Sequence, residues 1–588
     1  MVKLLVRTLK NLYRVLPGNY RRKSLIVVLS ILLNSLFDIL GLAALLPLFF
    51  LILDNNGLQN SQYLGWFFDL FGFQDERYMI LVLCALIFLF VVFKNLMSLL
   101  LLRFQTGFAF HLQKEFSLQL FKKYHARGFL FFKETNSNDL VRDIHSVPMA
   151  FAVNVVAASF SMISEIVVLL FIITALVLYN PIIVALVLAI VLPAFWLFYS
   201  LTKKKIKEIT EELHEISPVI SKTMFESIFG YVDVKVTGSL KQFYNQYDEL
   251  LKKATRINTL SNVFKLAPTK VIESAMILGI VTIISVGVFV YSDLSKLSTI
   301  LGVFALAAYR ILPSINRLMI AVINLRAYEY SFDVIDRIEW EFDEEKQSES
   351  PILFKKSIKI DQVVFRYKED TENVLNGLTF ELKRGETIGL VGKSGSGKST
   401  LANILLTFLE PNSGKILVDE KEISIHEQKE WLKLIGYVQQ EVYLIDGTLA
   451  ENIAFGEKPE EIDQELLIKV IERASLKEVV DQLPLGVETK IGERGALLSG
   501  GQRQRIGIAR ALYSGAEILV FDEATSALDN ETEKEVTDSI HKLHTENLTM
   551  IIIAHRITTL KYCDRILELE KGRFKKEHKY EDLIKTHL

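Results

Sequence analysis

Cysteine is almost absent from this chain. Only Cys84 and Cys563 occur in 588 residues, one in an apolar run and one in a polar stretch, so a disulfide framework is not expected. Net charge is nearly absent too. The 67 Lys and Arg against 69 Asp and Glu leave −2, which excludes a chain held to nucleic acid or another polyanion by bulk charge. No cleavable leader is expected, because the first apolar run starts near Ser24, is too long for a signal-peptide core and lacks a small-residue cleavage site. Acidic residues are missing from positions 1–23, where Lys3, Arg7, Lys10, Arg14, Arg21, Arg22 and Lys23 stand. That bias places the N-terminus in the cytoplasm by the positive-inside rule.

Long apolar runs dominate the first part of the chain. A spanning helix needs about 20 apolar residues, and six stretches qualify, roughly 24–53, 78–102, 151–179, 181–201, 271–292 and 297–325. Pro193 and Pro313 fall inside two of them and are expected to kink those helices. Six spans return the chain to the cytoplasm. Segments 103–150 and 202–270 then lie inside; both are charged with apolar residues at helical spacing, and both read as helical extensions of the spans. Their bends are expected at Asn136–His145 and Glu226–Val236. Residues 3–16 interleave leucines with Lys and Arg, the pattern of an amphipathic elbow helix on the inner leaflet. The aromatic stretch Tyr63–Phe73 reads as an external helix over about 60–73, or as a segment packed on neighbouring spans. Glu341–Pro351 is acidic and polar and reads as a linker.

Gly392-Lys393-Ser394-Gly395-Ser396-Gly397-Lys398-Ser399 has the spacing of a phosphate-binding loop. Thr387–Val391 before it reads as a buried strand and Thr400 onward as a helix, the context such a loop needs. The glycines let backbone N–H groups curl around phosphates, and the helix N-terminus adds positive potential. Gly392, Ser394, Gly395, Ser396, Gly397, Lys398, Ser399 and Thr400 are therefore the expected nucleotide contacts. Lys398 is expected to neutralise the β- and γ-phosphates, and the Ser399 hydroxyl to ligate Mg²⁺. Ile518–Glu523 reads as an apolar strand ending in two acids. Asp522 suits Mg²⁺ coordination there, and Glu523 is placed to polarise the attacking water as general base.

With Leu498-Ser499-Gly500-Gly501-Gln502 downstream, these motifs together resemble the nucleotide-binding domain of the ABC ATPases. The resemblance implies further roles in family order. Tyr367 resembles the aromatic that stacks on adenine. Gln440, in Val438-Gln439-Gln440-Glu441, resembles the glutamine that touches Mg²⁺ and water while its loop contacts the membrane domain; Gln439 is the alternative, and the register to Leu449-Ala450-Glu451-Asn452-Ile453 favours Gln440. Gly492-Glu493-Arg494-Gly495 resembles the exporter loop that contacts the coupling tips, Ser526–Asp529 the D-loop, and His555 the switch histidine. The implied catalytic set is Lys398, Gln440, Glu523 and His555. Tyr367, Gln440, Ser499, Gly500, Gly501, Gln502 and Asp529 complete the ATP contacts, and Ser399, Gln440 and Asp522 the Mg²⁺ set. In this family the signature serine and glycines contact ATP held by the opposite subunit. Two chains are thus implied, a homodimer being the simplest closure and a heterodimer the alternative.

Six spans, two cytoplasmic excursions and one ATPase domain resemble a type I exporter half-transporter, the MsbA-like arrangement. The implied fold is multi-domain: a six-helix α transmembrane domain (1–340) with long cytoplasmic helical extensions, a linker (341–351), and an α/β P-loop domain (352–588). The aromatic outer segment and Ala307–Arg317 resemble the PglK-like lipid-linked oligosaccharide flippases. Lys94, Lys270, Arg310 and Arg317 lie in or beside spans and, facing a cavity, form a basic belt for a phosphate headgroup; otherwise they pair with Asp38, Glu165 or Glu273, or snorkel. The implied function is ATP-driven flipping of an anionic lipid-linked oligosaccharide or glycolipid across a bacterial inner membrane, with the ATPase domain in the cytoplasm. Drug or peptide export on the same architecture is the first alternative, and an ATP-gated protein that does not pump the second.

Overall fold

Apolar residues at helical spacing build long helices, and the computed structural model describes residues 2–45, 76–179, 181–290, 294–338, 351–369, 371–525 and 528–587. The expected external aromatic helix and linker positions 341–350 lie outside the described residues. Two units emerge, Met1–Arg127 with Glu134–Glu341, and Gly128–Lys133 with Phe342–Leu588.

The first unit is helical. Its long elements are α1 (Val2–Val15), α2 (Gly18–Ala43), α3 (Glu76–Ala126), then, after the short α4 (Gly128–Glu134), α5 (Ala157–Tyr179), α6 (Pro181–Phe229), α7 (Leu240–Val290) and α8 (Leu294–Ala327). Among the described residues five stretches are long and apolar enough to cross a membrane: Gly18–Gly41, Ile80–Ala126, Ser137–Leu178, Leu240–Phe289 and Leu301–Ala327. The other expected span, 181–201, falls at the start of α6. The 51-residue helices α3 and α7 are each about 75 Å long at about 1.5 Å per residue. That is more than twice the ~30 Å hydrocarbon thickness, so the spans run on as extensions. Pro193 and Pro313 end neither α6 nor α8. Helix α1 buries Leu5, Leu12 and Val15 and is pinned at its polar edge by Arg7–Glu329 (2.7 Å) and Arg14–Asp336 (2.8 Å).

The bends of the extensions have distinct causes. The second lies where it was expected: α6 stops at Phe229, Gly230 breaks the run, and Gly238 closes Tyr231–Thr237 in the left-handed region at φ 66°. The first comes earlier than Asn136–His145. The chain turns at Gly128, whose φ of 76° suits glycine, and α4 follows. Its Phe129 and Leu130 belong to the second unit and pack on that unit's own core, Phe129 stacking on Phe408 at 5.5 Å. Asn136 instead caps the next short helix, accepting from the Asn138 N–H at 2.9 Å.

The second unit holds two sheets. β1 (Ser357–Phe365), β2 (Leu375–Lys383), β4 (Ser413–Val418) and β5 (Lys421–Glu422) form an antiparallel sheet in the order β2-β1-β4-β5. The larger sheet runs β10-β9-β3-β8-β7-β6, with β3 (Thr387–Val391), β6 (Ile435–Val438), β7 (Ile518–Asp522), β8 (Thr549–Ile553), β9 (Arg565–Glu570) and β10 (Arg573–His578). All its pairings are parallel except β9–β10. Strands β3, β7 and β8 are buried almost throughout and mainly apolar because both faces are covered. Their C-terminal ends adjoin, which is where ligands bind in open parallel sheets.

Candidate functional site

Strand β3 delivers the phosphate-binding loop, and α9 (Lys398–Leu405) leaves it. Gly397 sits at φ 106°, and a Cβ there would lie 2.7 Å from Leu375 Cδ2, so the position demands glycine twice over. Ser394, Gly395 and Ser399 are exposed, whereas Ser396, Gly397, Lys398 and Thr400 are buried. The Lys398 ammonium folds back over the loop, donating to the Gly392 carbonyl (2.9 Å) and the Lys393 carbonyl (3.3 Å). Burial draws its pKa below the ordinary lysine range, against the pull of Glu523 and Asp522. A phosphate anion arriving on the loop would complete this charge.

Asp522 ends β7 and Glu523 follows it. Asp522 Oδ2 accepts from the Tyr437 hydroxyl at 3.0 Å. Asp522 Oδ1 and the Ser396 hydroxyl are buried without a partner among the described residues. A buried carboxylate oxygen left unpaired fits a hard cation that takes its remaining ligands from phosphate, water and other oxygen donors. Burial raises the Asp522 pKa above the ordinary range, and the Tyr437 hydrogen bond opposes that rise. Protonation of Asp522 competes with a cation, so Tyr437→Phe is expected to move the acid limb of the ATPase profile to higher pH. An unchanged profile contradicts this role for Asp522. Glu523 takes φ 51°, unusual for a residue with a Cβ. Its carboxylate Oε1 lies 2.8 Å from His555 Nε2, so the two strand-end residues already meet.

The remaining family positions gather on the same unit. Tyr367 is partly exposed, stands edge-on to Phe365 and shares a hydrogen bond of 3.1 Å with Thr400 Oγ1. Lys133 Nζ lies 5.6 Å from its ring centre. Gln440 is exposed just beyond β6. Ser499 caps α10 (Gly500–Tyr513) in a reciprocal box with Gln502, and Gly500 and Gly501 open that helix. Arg494 lies in a tight turn at φ 52° between Gly492 and Gly495. Ser526 and Ala527 lie outside the described residues; Asp529 caps α11 (Asn530–Thr545), accepting from the Thr532 N–H at 2.8 Å. Three supporting residues escaped the motif reading. Tyr437 holds Asp522. Gln504 donates to the Gln439 and Gln440 carbonyls. Arg556, next to His555, grips the Leu528 carbonyl and Glu533. Their partners are backbone carbonyls and distant acids, which leave no motif.

In the helical unit the four basic residues do not converge. Lys94 Nζ lies 2.8 Å from Asp38 Oδ1, and Arg310 Nη2 lies 2.6 Å from Asp38 Oδ2. Lys94 reaches that carboxylate across Gly41, where a Cβ would sit 2.8 Å from Lys94 Cδ. Two cations on one anion leave +2 − 1 = +1 at a cluster whose side chains are only 17–18% exposed. Arg317 pairs with Glu165 and Lys270 with Glu273, the latter lysine 81% exposed. Arg310 Nε, Ser314 Oγ, Glu165 Oε2 and Asn34 Oδ1 are buried and unpartnered among the described residues.

The ABC transporter family pattern matches residues 375–526. The ATP-dependent lipid A-core flippase of Francisella novicida is 32% identical over 410 residues, 68% of this chain and 68% of that one. Lipid A-core flippase 1 of Colwellia psychrerythraea is 45% identical over 217 residues, 37% of this chain and 36% of that one. A solved bacterial Atm1-family ABC exporter with ATP bound shares the fold, with a TM-score of 0.75, 23% identity, and coverage of 97% of this chain and 96% of that one. The chain therefore belongs to the ABC transporter family, as a membrane-embedded half-transporter with one helical region and one ATPase domain, and it binds ATP and couples its hydrolysis to transport.

Proposed function

We propose that two copies of this chain assemble in a bacterial cytoplasmic membrane, with their ATPase domains in the cytoplasm, and flip an anionic lipid-linked oligosaccharide or glycolipid. The observation that carries the anionic part is the Lys94–Asp38–Arg310 cluster, a net positive charge retained on apolar helices. Charge at such depth is costly and is kept where it serves an ion or substrate path. A lipid as cargo is supported by the lipid A-core flippases among the relatives. In this reading 1–340 is the transmembrane domain, 341–351 the linker and 352–588 the ATPase domain.

The chemistry follows from the residues. Tyr367 offers a half-exposed ring to adenine. The loop N–H groups and Lys398 take the phosphates, and Ser399, Gln440 and Asp522 would hold Mg²⁺. That ion, when bound, offsets phosphate charge. Glu523 accepts the proton of the water that attacks the γ-phosphate, and His555 fixes the carboxylate within 2.8 Å. Ser499, Gly500 and Gly501 sit at the positive N-terminus of α10 and serve ATP held by the partner copy.

A phosphate-bearing glycolipid is expected to stimulate ATP hydrolysis in proteoliposomes. In Arg310→Ala, losing one charge-assisted contact should raise the lipid concentration for half-maximal stimulation about ten- to a hundredfold. Stimulation by drugs or peptides with no response to the lipid contradicts this reading.

A further inference from the structure

Helix α10 carries the signature residues at its N-terminus and a second device along one side. Gln504, Gly507 and Arg510 recur every three residues and share a strip of that helix. Against the strip lies the segment Gln439–Tyr443. The Gln504 side-chain amide donates to the Gln440 carbonyl at 2.6 Å and the Gln439 carbonyl at 3.2 Å. Arg510 donates to the Tyr443 carbonyl at 2.9 Å and, further on, to the Asn452 carbonyl at 2.9 Å. Its guanidinium also lies 4.6 Å from the Phe455 ring centre. Between the two polar residues the helix is bare: a Cβ on Gly507 would lie 2.8 Å from Val442 Cγ2 and 3.4 Å from Val438 Cγ1. Gln504 is 5% exposed, and its Oε1 has no partner among the described residues. Only its N–H₂ group is used, and the opposite amide orientation would set an oxygen against two carbonyls.

Taking Gln440 and Ser499–Gln502 as ATP contacts, as proposed above, we infer that Gln504 is a positioning residue that clasps the Gln440 loop to the signature helix, so that both ATP-reading elements move as one body. Gln440 reads the nucleotide held by its own chain, and Ser499 that of the partner copy. A displacement of α10 therefore shifts the Gln440 backbone directly, and the bare surface at Gly507 lets the loop lie close enough for the clasp to form. A helix of ordinary composition would hold the loop off by a side chain.

The test uses the full-length protein and four variants, with kcat and KM for ATP measured separately. Gln504→Met keeps the volume and removes the donor. It is expected to lower kcat about tenfold, the loss of two hydrogen bonds to one loop, with KM for ATP within about twofold. Gly507→Ala favours the helix but pushes on Val442, and should lower kcat as well; Gly507→Ala with Val442→Ala should recover it. Gln440→Ala separates the clasp from the reading beneath it. If Gln440→Ala is slow while Gln504→Met and Gly507→Ala turn over at the parent rate, the clasp alone is overturned. If all three run at the parent rate, the clasp and the role of Gln440 both fall. A raised KM with kcat unchanged in Gln504→Met also overturns the clasp, because it points to nucleotide affinity instead of loop placement.

Discussion

Glu523→Gln is expected to slow ATP hydrolysis by about 10²–10⁴-fold, the usual contribution of a general base, while ATP stays bound. The substitution is close to isosteric, so the hydrogen bond with His555 can persist through the amide oxygen. What disappears is the capacity to accept a proton. The left-handed backbone at Glu523 (φ 51°) also bears on the result. The Glu523 carboxylate meets His555, which lies just beyond the neighbouring strand β8, and strain of this kind is found where function needs it. A single-turnover assay with filter-bound nucleotide reads both quantities together. Hydrolysis at the parent rate would show that another group takes the proton. Binding lost along with hydrolysis would show that Glu523 acts on affinity.

Asp38→Asn is the second large effect. It removes the anion that Lys94 and Arg310 share, so the cluster goes from +1 to +2 among apolar helices. Breaking a buried pair in this way costs about 3–5 kcal/mol, a large share of a typical folding free energy of about 5–15 kcal/mol. Lys94→Met takes the same cluster to zero and is expected to be much milder. Thermal unfolding in detergent should therefore rank the parent first, Lys94→Met next and Asp38→Asn last. An anionic lipid can stand in for the missing carboxylate, and a ligand that binds the folded state alone raises its stability. Adding a phosphate-bearing glycolipid should thus raise the midpoint of Asp38→Asn more than that of the parent. Equal stability of parent and Asp38→Asn contradicts a role for this carboxylate as shared counter-ion.

What could be read from sequence alone was local. The phosphate loop was legible because glycine spacing, the preceding strand and the following helix are all contiguous, and Gly397 does take the left-handed geometry the loop needs. The long extensions were legible from periodicity, and the break at Gly230 from its glycine. The bend at Gly128 was not, because Gly-Phe-Leu-Phe-Phe reads as more apolar helix until the core that receives Phe129 is known. Asn136 marks a second break, where the chain is extended and the side chain caps the next helix. Asp529 was read for its loop, and its carboxylate is engaged in capping α11. The basic residues of the spans were visible as charges. Asp38 was among the expected partners, but its sharing by Lys94 and Arg310 was not legible, since Arg310 lies 272 positions away along the chain. Nothing in a list of charged positions says which two will meet.

Movement of lipid driven by ATP is the step on which the proposed function rests. The measurement is transfer of a phosphate-bearing glycolipid between the leaflets of proteoliposomes, in parent and Glu523→Gln protein. Transfer that requires ATP in the parent and stops in the variant is the predicted result. A parent that hydrolyses ATP but leaves the lipid where it was, or a variant that still moves it, contradicts the account.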